Sequence, residues 1–596
     1  MNDPMNPLVQ FSAEAGRIVS ESVPGETNTT VEHENDVHAD SGADRTMYCY
    51  APKSGCPDPK QTQVVMVLRN GRDEASAAEC MQRLGLDALA EEEHFLLLFP
   101  NPTRQGWNYT NDPTRENDMD YLVRCFGVLR GSKLGVNGFN GMIFYIADSP
   151  EASAMLTTLA ALRPLNVPAM MVSRLPDGYA LPDGALNVET AAWSSDPLVT
   201  AYLMHANGET SREPEHDGIV THYGKNPECR LITTQRPTDA ESVRLAWEYL
   251  FSRSRRWQND VYGHYQHRTA FTQRGFTAHV KDTSLGVNNN YPHTWYEYIP
   301  PQLRGSKEKV PLVFYFHGVN CVPLYGAEQS NWHDIADREN LIVVFPAPAR
   351  SKCWNIFDLP VLPSDIDFVL ALIEHMKQVH PIDESRIYVS GFSMGAAMTH
   401  ALASTYPEIF AAAAPCNAFA TFFMDADPAK MLQGFIRDVP PEKLGHSCIS
   451  AERAKEKKAK RDLLMPVIQN AGAADDSMVH WPVPADPSGM AVKSLAWWKA
   501  FDRIPQEPMF DTLSGTGLAA DAASARGGGR YTVQSWFNRD VSAETPLLQL
   551  VVAANMPHAV DPVQIEWAWE FMRQFSRGEN GELSLTEERQ HRTSPA

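Results

Sequence analysis

The 596-residue chain has few cysteines, no long apolar run and no excess of positive charge. Its nine cysteines are scattered and include no C-x-x-C pair. This pattern is typical of reduced core thiols and not of a disulfide framework or a zinc knuckle. No run approaches the roughly 20 apolar residues of a membrane-spanning helix. The net charge of −21 argues against a nucleic-acid or anionic-membrane surface.

The first twenty residues contain neither the basic segment nor the apolar core of a signal peptide. We therefore expect a cytoplasmic protein. A secreted form with a disulfide at Cys353 is the alternative.

Signatures of metal and nucleotide sites are also missing. The sequence contains no phosphate-binding G-x-x-x-x-G-K-[ST] loop and no H-E-x-x-H pair. His264 and His267 come closest to a metal pair, but no carboxylate lies at a useful spacing. We expect neither a metal ion nor a cofactor.

What the sequence does contain is a strand-to-helix elbow between Arg386 and Met398. A short apolar strand, Ile387 to Val389, leads into Gly391-x-Ser393-x-Gly395, and an alanine-rich helical segment follows. Small flanking residues allow a strained serine on such a turn, and the next N–H, that of Met394, lies at the positive end of the helix. The pattern predicts Ser393 as a nucleophile with half an oxyanion hole. The alternative is a plain helix N-cap serine.

A serine nucleophile needs a base, and the base needs a carboxylate that orients it. The strand Met465 to Gln469 leads to Asp475 and Asp476, and the strand Leu547 to Ala553 leads to His558. Strand-end loops are where such folds carry their chemistry. We predict His558 as the base and Asp475 as the acid, with Asp476 as the rival acid.

The second oxyanion donor should come from the loop after an early strand. The segment Tyr315 to Asn320 fits, and the N–H of Val319 is the best candidate. We expect His317, Trp354 and Asn355 to shape the substrate pocket.

The two halves of the chain repeat one another at nearly constant spacing. The matched pairs are Tyr48–Pro52 with Tyr296–Pro300, Phe95–Pro100 with Leu341–Pro346, Trp107-Asn108 with Trp354-Asn355, and Asp118–Leu122 with Asp365–Val369. The matching places Pro150 opposite Ser393 and leaves Ser149 off register. It also places Asp177 opposite Asp475 and Arg236 opposite His558. We predict that the first half has lost catalysis and now packs, binds or dimerises.

Short apolar strands alternate with helical segments in both halves, which favours an α/β protein with a mostly parallel sheet flanked by helices. We expect tandem α/β-hydrolase-like units. The predicted segments are a polar N-terminal stretch 1–45, a degenerate domain 46–260, a catalytic domain 270–578 with lid insertions at about 416–464 and 477–530, and a polar tail 579–596.

The second half resembles the polyhydroxybutyrate depolymerase and feruloyl esterase group of α/β-hydrolases from Phe276 to Arg577. The likeness rests on Tyr296–Pro300, Phe316–Gly318, Cys353–Phe357, Asp365–Asp367, Arg386–Met398, Tyr406-Pro407 and His558. It implies a charge-relay triad of Ser393, Asp475 and His558, and an acyl-enzyme. Val319 and Asn320 stand where the group usually has Cys and Gln.

We therefore expect a serine esterase acting on a small or oligomeric acyl ester, with a hydroxyacyl or phenolic ester as the substrate. We expect no nucleic-acid or membrane partner, and an oligomer could form through the first domain. The alternatives are a serine peptidase of the same fold and a non-catalytic binding protein in which both units are worn.

Overall fold

A computed structural model describes residues 4–5, 7–10, 13–25, 43–58, 60–129, 131–135, 138–350, 353–420, 427–428, 432, 439, 443, 448–475, 489–511 and 516–586. The chain divides into two compact units, Met1–Arg268 and Thr269–Ala596. Among the described residues, no helix is long and apolar enough to cross a membrane. All nine cysteines are free and buried, in keeping with core thiols and not with a disulfide at Cys353.

The first unit contains fourteen strands in its described part. They are β1 Leu8–Val9, β2 Ile18–Val23, β3 Arg45–Tyr50, β4 Cys56–Pro57, β5 Val64–Leu68, β6 Leu96–Pro100, β7 Ile143–Ala147, β8 Ala169–Val172, β9 Ala191–Ser194, β10 Ser211–Arg212, β11 Ile219–Tyr223, β12 Arg230–Thr234, β13 Arg256–Trp257 and β14 His264–Tyr265. Its helices are α1 Glu74–Arg83, α2 Leu86–Glu93, α3 Asp118–Leu129, α4 Pro150–Leu162, α5 Pro197–Asn207 and α6 Ala240–Ala246, which runs into a π-helical turn Trp247–Phe251.

The second unit has twelve strands in its described part. They are β15 Thr277–Asp282, β16 His293–Tyr298, β17 Val310–Phe316, β18 Ile342–Pro346, β19 Ile382–Phe392, β20 Ala412–Cys416, β21 Val467–Gly472, β22 Ala522–Arg526, β23 Tyr531–Trp536, β24 Leu548–Ala553, β25 Phe575–Arg577 and β26 Leu583–Leu585. Its helices are α7 Phe271–Arg274, α8 Pro323–Ser330, α9 Trp332–Glu339, α10 Asp365–Val379, α11 Met394–Thr405, α12 Ile449–Lys460, α13 Met490–Phe501 and α14 Pro562–Met572.

Each unit is built on a ten-stranded sheet, and the two sheets have the same strand order. The first runs β2-β3-β6-β5-β7-β8-β9-β12-β11-β10 and the second runs β15-β16-β18-β17-β19-β20-β21-β24-β23-β22. In both, the six central strands are parallel and two antiparallel strands close each edge. The predicted fold class, two α/β units with mostly parallel sheets, is confirmed. That the first half is a worn copy of the second stays a prediction.

The central strands form because their apolar runs are buried on both faces. Every residue of β17, β18 and β20 is buried, as expected where helices cover both sides of a parallel sheet. The helices α10 and α11 present apolar faces to this sheet, and α10 begins at Ser364, whose Oγ accepts the N–H of Asp367 at 3.0 Å. Because the central strands are parallel, their carboxyl ends meet at one edge of the sheet.

The strand register corrects the sequence alignment at the elbow. Leu68 pairs with Ala147 in the first sheet, and the corresponding Phe316 pairs with Gly391 in the second. Counting on from these pairs, Ser149 and not Pro150 takes the position of Ser393. The alignment was wrong by one residue because Ala147–Glu151 shares almost no residue types with Gly391–Gly395. It was also wrong for Asp177, which follows β8, the counterpart of β20 and not of β21.

The second predicted lid is too long. Ala522–Arg526 is not an insertion but β22, the edge strand of the main sheet, and Gly527–Gly529 turns the chain into β23. Of this predicted lid, residues 477–488 and 512–515 lie outside the described part, as does much of 421–447 in the first.

Candidate active site

Ser393 lies at the elbow between β19 and α11. Its backbone has φ 57° and ψ −122°, a region that residues with a side chain rarely adopt. Its N–H donates to the carbonyl of Cys416 at 2.9 Å, at the end of the neighbouring strand β20. Ser393 is 4% exposed. The backbone therefore holds this serine in a strained conformation that packing around the turn must maintain.

Two glycines make the strained turn possible. A Cβ on Gly391 would lie 2.4 Å from the carbonyl oxygen of Gly395, and a Cβ on Gly395 would lie 2.0 Å from that of Phe316. Both distances are far inside van der Waals contact. The elbow packs directly on β17, and only glycine fits at these two positions.

His558 and Asp475 complete a hydrogen-bonded chain with this serine. The Nε2 of His558 lies 2.9 Å from the Oγ of Ser393, and its Nδ1 lies 2.7 Å from the Oδ2 of Asp475. The Asp475 side chain is fully buried, whereas 26% of the His558 side chain is exposed. The sequence-predicted nucleophile, base and acid are thus together. Asp476, the rival acid, lies outside the described residues.

The loops that carry the acid and the base are joined by their backbones. The N–H of Ala473 donates to the carbonyl of Ala553 at 2.9 Å, and that of Ala474 donates to Met556 at 3.0 Å. Gly472 allows this approach, because a Cβ there would lie 2.3 Å from the Met556 oxygen. The ring of Phe392 packs against the His558 ring at 4.7 Å between centroids. The imidazole is therefore held from two sides.

The predicted oxyanion donors, the N–H groups of Met394 and Val319, belong to segments next to the serine. Met394 is the first residue of α11, so its N–H lies at the positive end of that helix. Gly318 approaches the serine closely, since a Cβ on it would lie 3.3 Å from the Ser393 Cβ, and Val319 is the next residue. In the described part of the chain, neither the Met394 nor the Val319 N–H donates a hydrogen bond. Both are available to an oxygen at this site.

The predicted substrate contacts of Trp354 and Asn355 are wrong. Trp354 is fully buried and donates its indole N–H to the carbonyl of His317 at 2.8 Å. The amide of Asn355 is buried and used within its own loop, which includes a bond from the Leu359 N–H at 2.9 Å. Trp354 therefore supports the loop that carries Gly318, and Asn355 supports its own loop. His317 is also buried, and its substrate role stays a prediction.

The first unit contains the same tryptophan–asparagine arrangement without the nucleophile elbow. Trp107 donates to the carbonyl of Arg69 at 3.1 Å, and Asn108 binds its own loop through Asp112 and Glu116. The arrangement is therefore part of the fold that the two units share.

A buried aspartate differs between the two copies of this loop. Asp118 accepts from the Asn108 N–H and pairs with the Arg45 guanidinium at 2.5 Å. Asp365 accepts from the Asn355 and Ala349 N–H groups, at 2.7 and 2.8 Å. By strand register, His293 takes the place of Arg45. Burial raises the pKa of Asp365 to about 7, although the hydrogen bonds from these two N–H groups act to lower it.

His400, in the middle of α11, is not a competing base. It is fully buried, its Nε2 lies 3.1 Å from the carbonyl of Ala418, and its Nδ1 accepts from the Trp498 indole at 3.2 Å. Burial lowers its pKa to about 4. It is a neutral core histidine that joins α11 to α13.

In the described residues of the first unit, the positions that correspond to this site carry other contacts. Ser149 has an ordinary extended backbone (φ −153°, ψ 165°), and its Oγ caps α4 by accepting the Ala152 N–H. Pro150 follows, so the helix offers no N–H where Met394 stands. Arg236 takes the position of His558 when residues are counted back from the start of the following helix in each unit. It pairs with Glu241. Ser149 is the plain N-cap serine that was the alternative for Ser393.

The fold and the site define the class as α/β-hydrolase-like, with a serine, histidine and aspartate at the carboxyl ends of parallel strands. Comparison with known proteins agrees for the second unit, where residues 294–429 match the family described as Esterase PHB depolymerase. The predicted resemblance of the second half is confirmed.

Curated relatives match over part of their length. The chain is 37% identical over 123 residues to poly(3-hydroxyalkanoate) depolymerase C of Paucimonas lemoignei, covering 19% of this chain and 28% of that protein. It is 29% identical over 151 residues to feruloyl esterase B of Neurospora crassa, covering 24% of this chain and 49% of that protein. A structural match is the acetyl xylan esterase from Aspergillus awamori, with TM-score 0.34 and 16% identity over 50% of this chain and 98% of the other.

Proposed function

We propose that this protein is a serine carboxylic-ester hydrolase whose second unit is catalytic. The observation that carries the proposal is the chain from Ser393 Oγ through His558 to the buried Asp475 carboxylate. The partial matches to a depolymerase and to feruloyl esterases support ester hydrolysis. The substrate class that we propose is a small or oligomeric hydroxyacyl or phenolic ester.

In the first step, the Ser393 Oγ attacks the ester carbonyl carbon while its proton passes to the Nε2 of His558. Asp475 accepts the hydrogen bond from Nδ1, which keeps the ring in the correct tautomer and stabilises the imidazolium. The N–H groups of Met394 and Val319 donate to the oxyanion. Each such donor is worth about 10²–10³ in rate.

The tetrahedral intermediate then expels the alcohol, which takes the proton from His558, and an acyl-enzyme on Ser393 remains. Water attacks the acyl carbon with His558 as the base, and collapse releases the carboxylic acid and restores the Ser393 hydroxyl. Every proton is carried by one imidazole, and no group beyond this chain and water is needed.

Hydrolysis of p-nitrophenyl butyrate, measured beside an aminoacyl p-nitroanilide, tests the proposal. We expect ester hydrolysis by the wild type and a loss of about 10⁶ in kcat for Ser393→Ala. Ser149→Ala is the matched control, because that serine has the same register in the first unit, and it should leave kcat unchanged.

Two outcomes contradict the proposal. Preferential cleavage of the anilide would favour a serine peptidase. An ester rate that Ser393→Ala does not change would show that Ser393 is not the nucleophile.

A further inference from the structure

Asn417 is a buried asparagine, directly after β20, whose side chain contacts the segments that carry the acid and the base. Its Oδ1 accepts the N–H of Gly472, the last residue of β21 before the loop to Asp475, at 2.8 Å. Its Nδ2 donates to the carbonyl of Ala559, the residue after His558. The preceding residue, Cys416, accepts the Ser393 N–H at 2.9 Å.

The backbone at this position suits asparagine. Asn417 has φ 52°, in the left-handed region that asparagine, aspartate and glycine tolerate best. Its own N–H donates to the carbonyl of Asn470 at 2.9 Å, and the residue is fully buried. One side chain, whose orientation its own backbone helps to fix, thus joins the end of β20 to the segments that lead to the acid and follow the base.

The first unit shows that the fold does not require this bridge. Strand register places Arg174 at the position of Asn417, and Arg174 is exposed. There the loop is held differently, with the Leu175 N–H donating to the Asp196 carboxylate at 3.0 Å. The tryptophan–asparagine loop is present in both units, whereas the Asn417 bridge accompanies the nucleophile elbow alone.

We propose that Asn417 is a positioning residue that sets the place of His558 relative to Ser393 and Asp475. This inference rests on the proposed esterase function and deepens it. The acid and base loops are already joined by the bonds of Ala473 and Ala474. Asn417 adds the link from these loops to β20, which also anchors the nucleophile through Cys416. Loss of the bridge should therefore loosen the reacting groups more than the fold.

Two substitutions tolerate the left-handed backbone and separate the two amide bonds. Asn417→Asp keeps the acceptor for the Gly472 N–H and removes the donor to Ala559, and Asn417→Gly removes both. We expect kcat on p-nitrophenyl butyrate to fall by about 10²-fold, as for a misplacement of about 1 Å, with KM little changed. In Asn417→Gly the acid limb of the kcat/KM profile should move to lower pH, because a looser Asp475 contact stabilises the imidazolium less.

Asn207→Ala is the matched control. Asn207 is a buried asparagine of the first unit whose amide likewise makes one donated and one accepted bond, both with Thr190. Its loss should lower the melting temperature and leave kcat and the acid limb unchanged. If Asn417→Gly fails to fold, the kcat of Asn417→Asp alone tests the positioning role. This variant keeps the size of the side chain and the bond from the Gly472 N–H.

The failure of this inference differs from that of the proposed function. If the wild type hydrolyses esters and depends on Ser393, but the Asn417 variants keep its kcat and acid limb, the positioning role is overturned. A lower melting temperature alone, as for Asn207→Ala, overturns it as well. If the wild type shows no Ser393-dependent hydrolysis, the proposed function itself has failed.

Discussion

At the scale of single residues, the site depends on one serine whose backbone is strained and on the two glycines beside it. Ser149 has the same register in the first unit, yet it adopts an extended backbone and caps a helix. The difference lies in its neighbours, since Ala147 and Glu151 replace the glycines and Pro150 removes the N–H. A hydroxyl at the right place in a sheet is therefore not sufficient for a nucleophile.

Gly395→Ala tests this dependence. The new Cβ would lie 2.0 Å from the Phe316 carbonyl oxygen, so the elbow must shift. We expect kcat to fall by at least about 10²-fold, the cost of misplacing a reacting group by about 1 Å. Gly127→Ala is the control, because Gly127 is also helical and a Cβ there meets nothing within 4 Å. Equal activity of both variants would contradict the packing argument.

Sequence reasoning singled out Ser393, His558 and Asp475, which lie together in the structure, because each follows a buried strand in a recognisable loop. It missed Asn417, whose only local signal is an asparagine directly after a strand. It also placed Pro150 opposite Ser393. The two elbows share almost no residue types, so only the pairing of the strands fixes which residues correspond. Trp354 and Asn355 were assigned to the substrate because sequence cannot separate a buried loop support from a pocket wall.

At the scale of elements, the tryptophan–asparagine loop is a structural support in both units. Asn355→Ala and Asn108→Ala each remove several buried hydrogen bonds within one loop. We expect each to lower the free energy of unfolding of its own unit by about 1–3 kcal/mol, as measured by denaturant titration. Asn108→Ala should leave kcat unchanged. A higher KM for Asn355→Ala without loss of stability would restore Asn355 as a substrate contact.

Asp365 makes the stability of the second unit depend on pH. Its pKa in the folded protein is raised to about 7 from its usual 3.8, mainly by burial. Between these values the folded protein holds a proton that the unfolded chain releases, so stability falls as pH rises from about 4 to 7.

Asp365→Asn should flatten this part of the pH profile of the unfolding midpoint. Asp177→Asn, at an exposed position, is the control and should leave the profile unchanged. If the unfolding midpoint of Asp365→Asn changed with pH in parallel with that of the wild type, Asp365 would be ionised in the folded protein across this pH range.

Most central strands and α10 could be predicted, because apolar runs buried on both faces and a capped apolar stripe leave clear patterns. The edge strand β22 could not. All five of its residues are exposed, so its Ala, Ser and Arg residues show neither an apolar run nor alternation, and the segment was assigned to a lid.

At the scale of the whole molecule, the chain contains two sheets of the same strand order. Among the described residues, only the second unit brings a serine, a base and an acid together at the sheet edge. The repeat could be recognised from aromatic and proline anchors at strand ends. What the first unit does could not, because its counterparts of the site, Ser149 and Arg236, make ordinary capping and ion-pair contacts. Comparing the units separates what the fold needs from what the proposed reaction needs.

The most direct test of the account is covalent labelling of the full chain with a fluorophosphonate, followed by peptide mapping. An activated serine reacts with this probe, whereas a capping serine does not. We predict one label per chain, on the peptide that contains Ser393, and its loss in His558→Ala. A chain that takes up no label, or takes it up on Ser149, would contradict the claim that the second unit holds the activated serine.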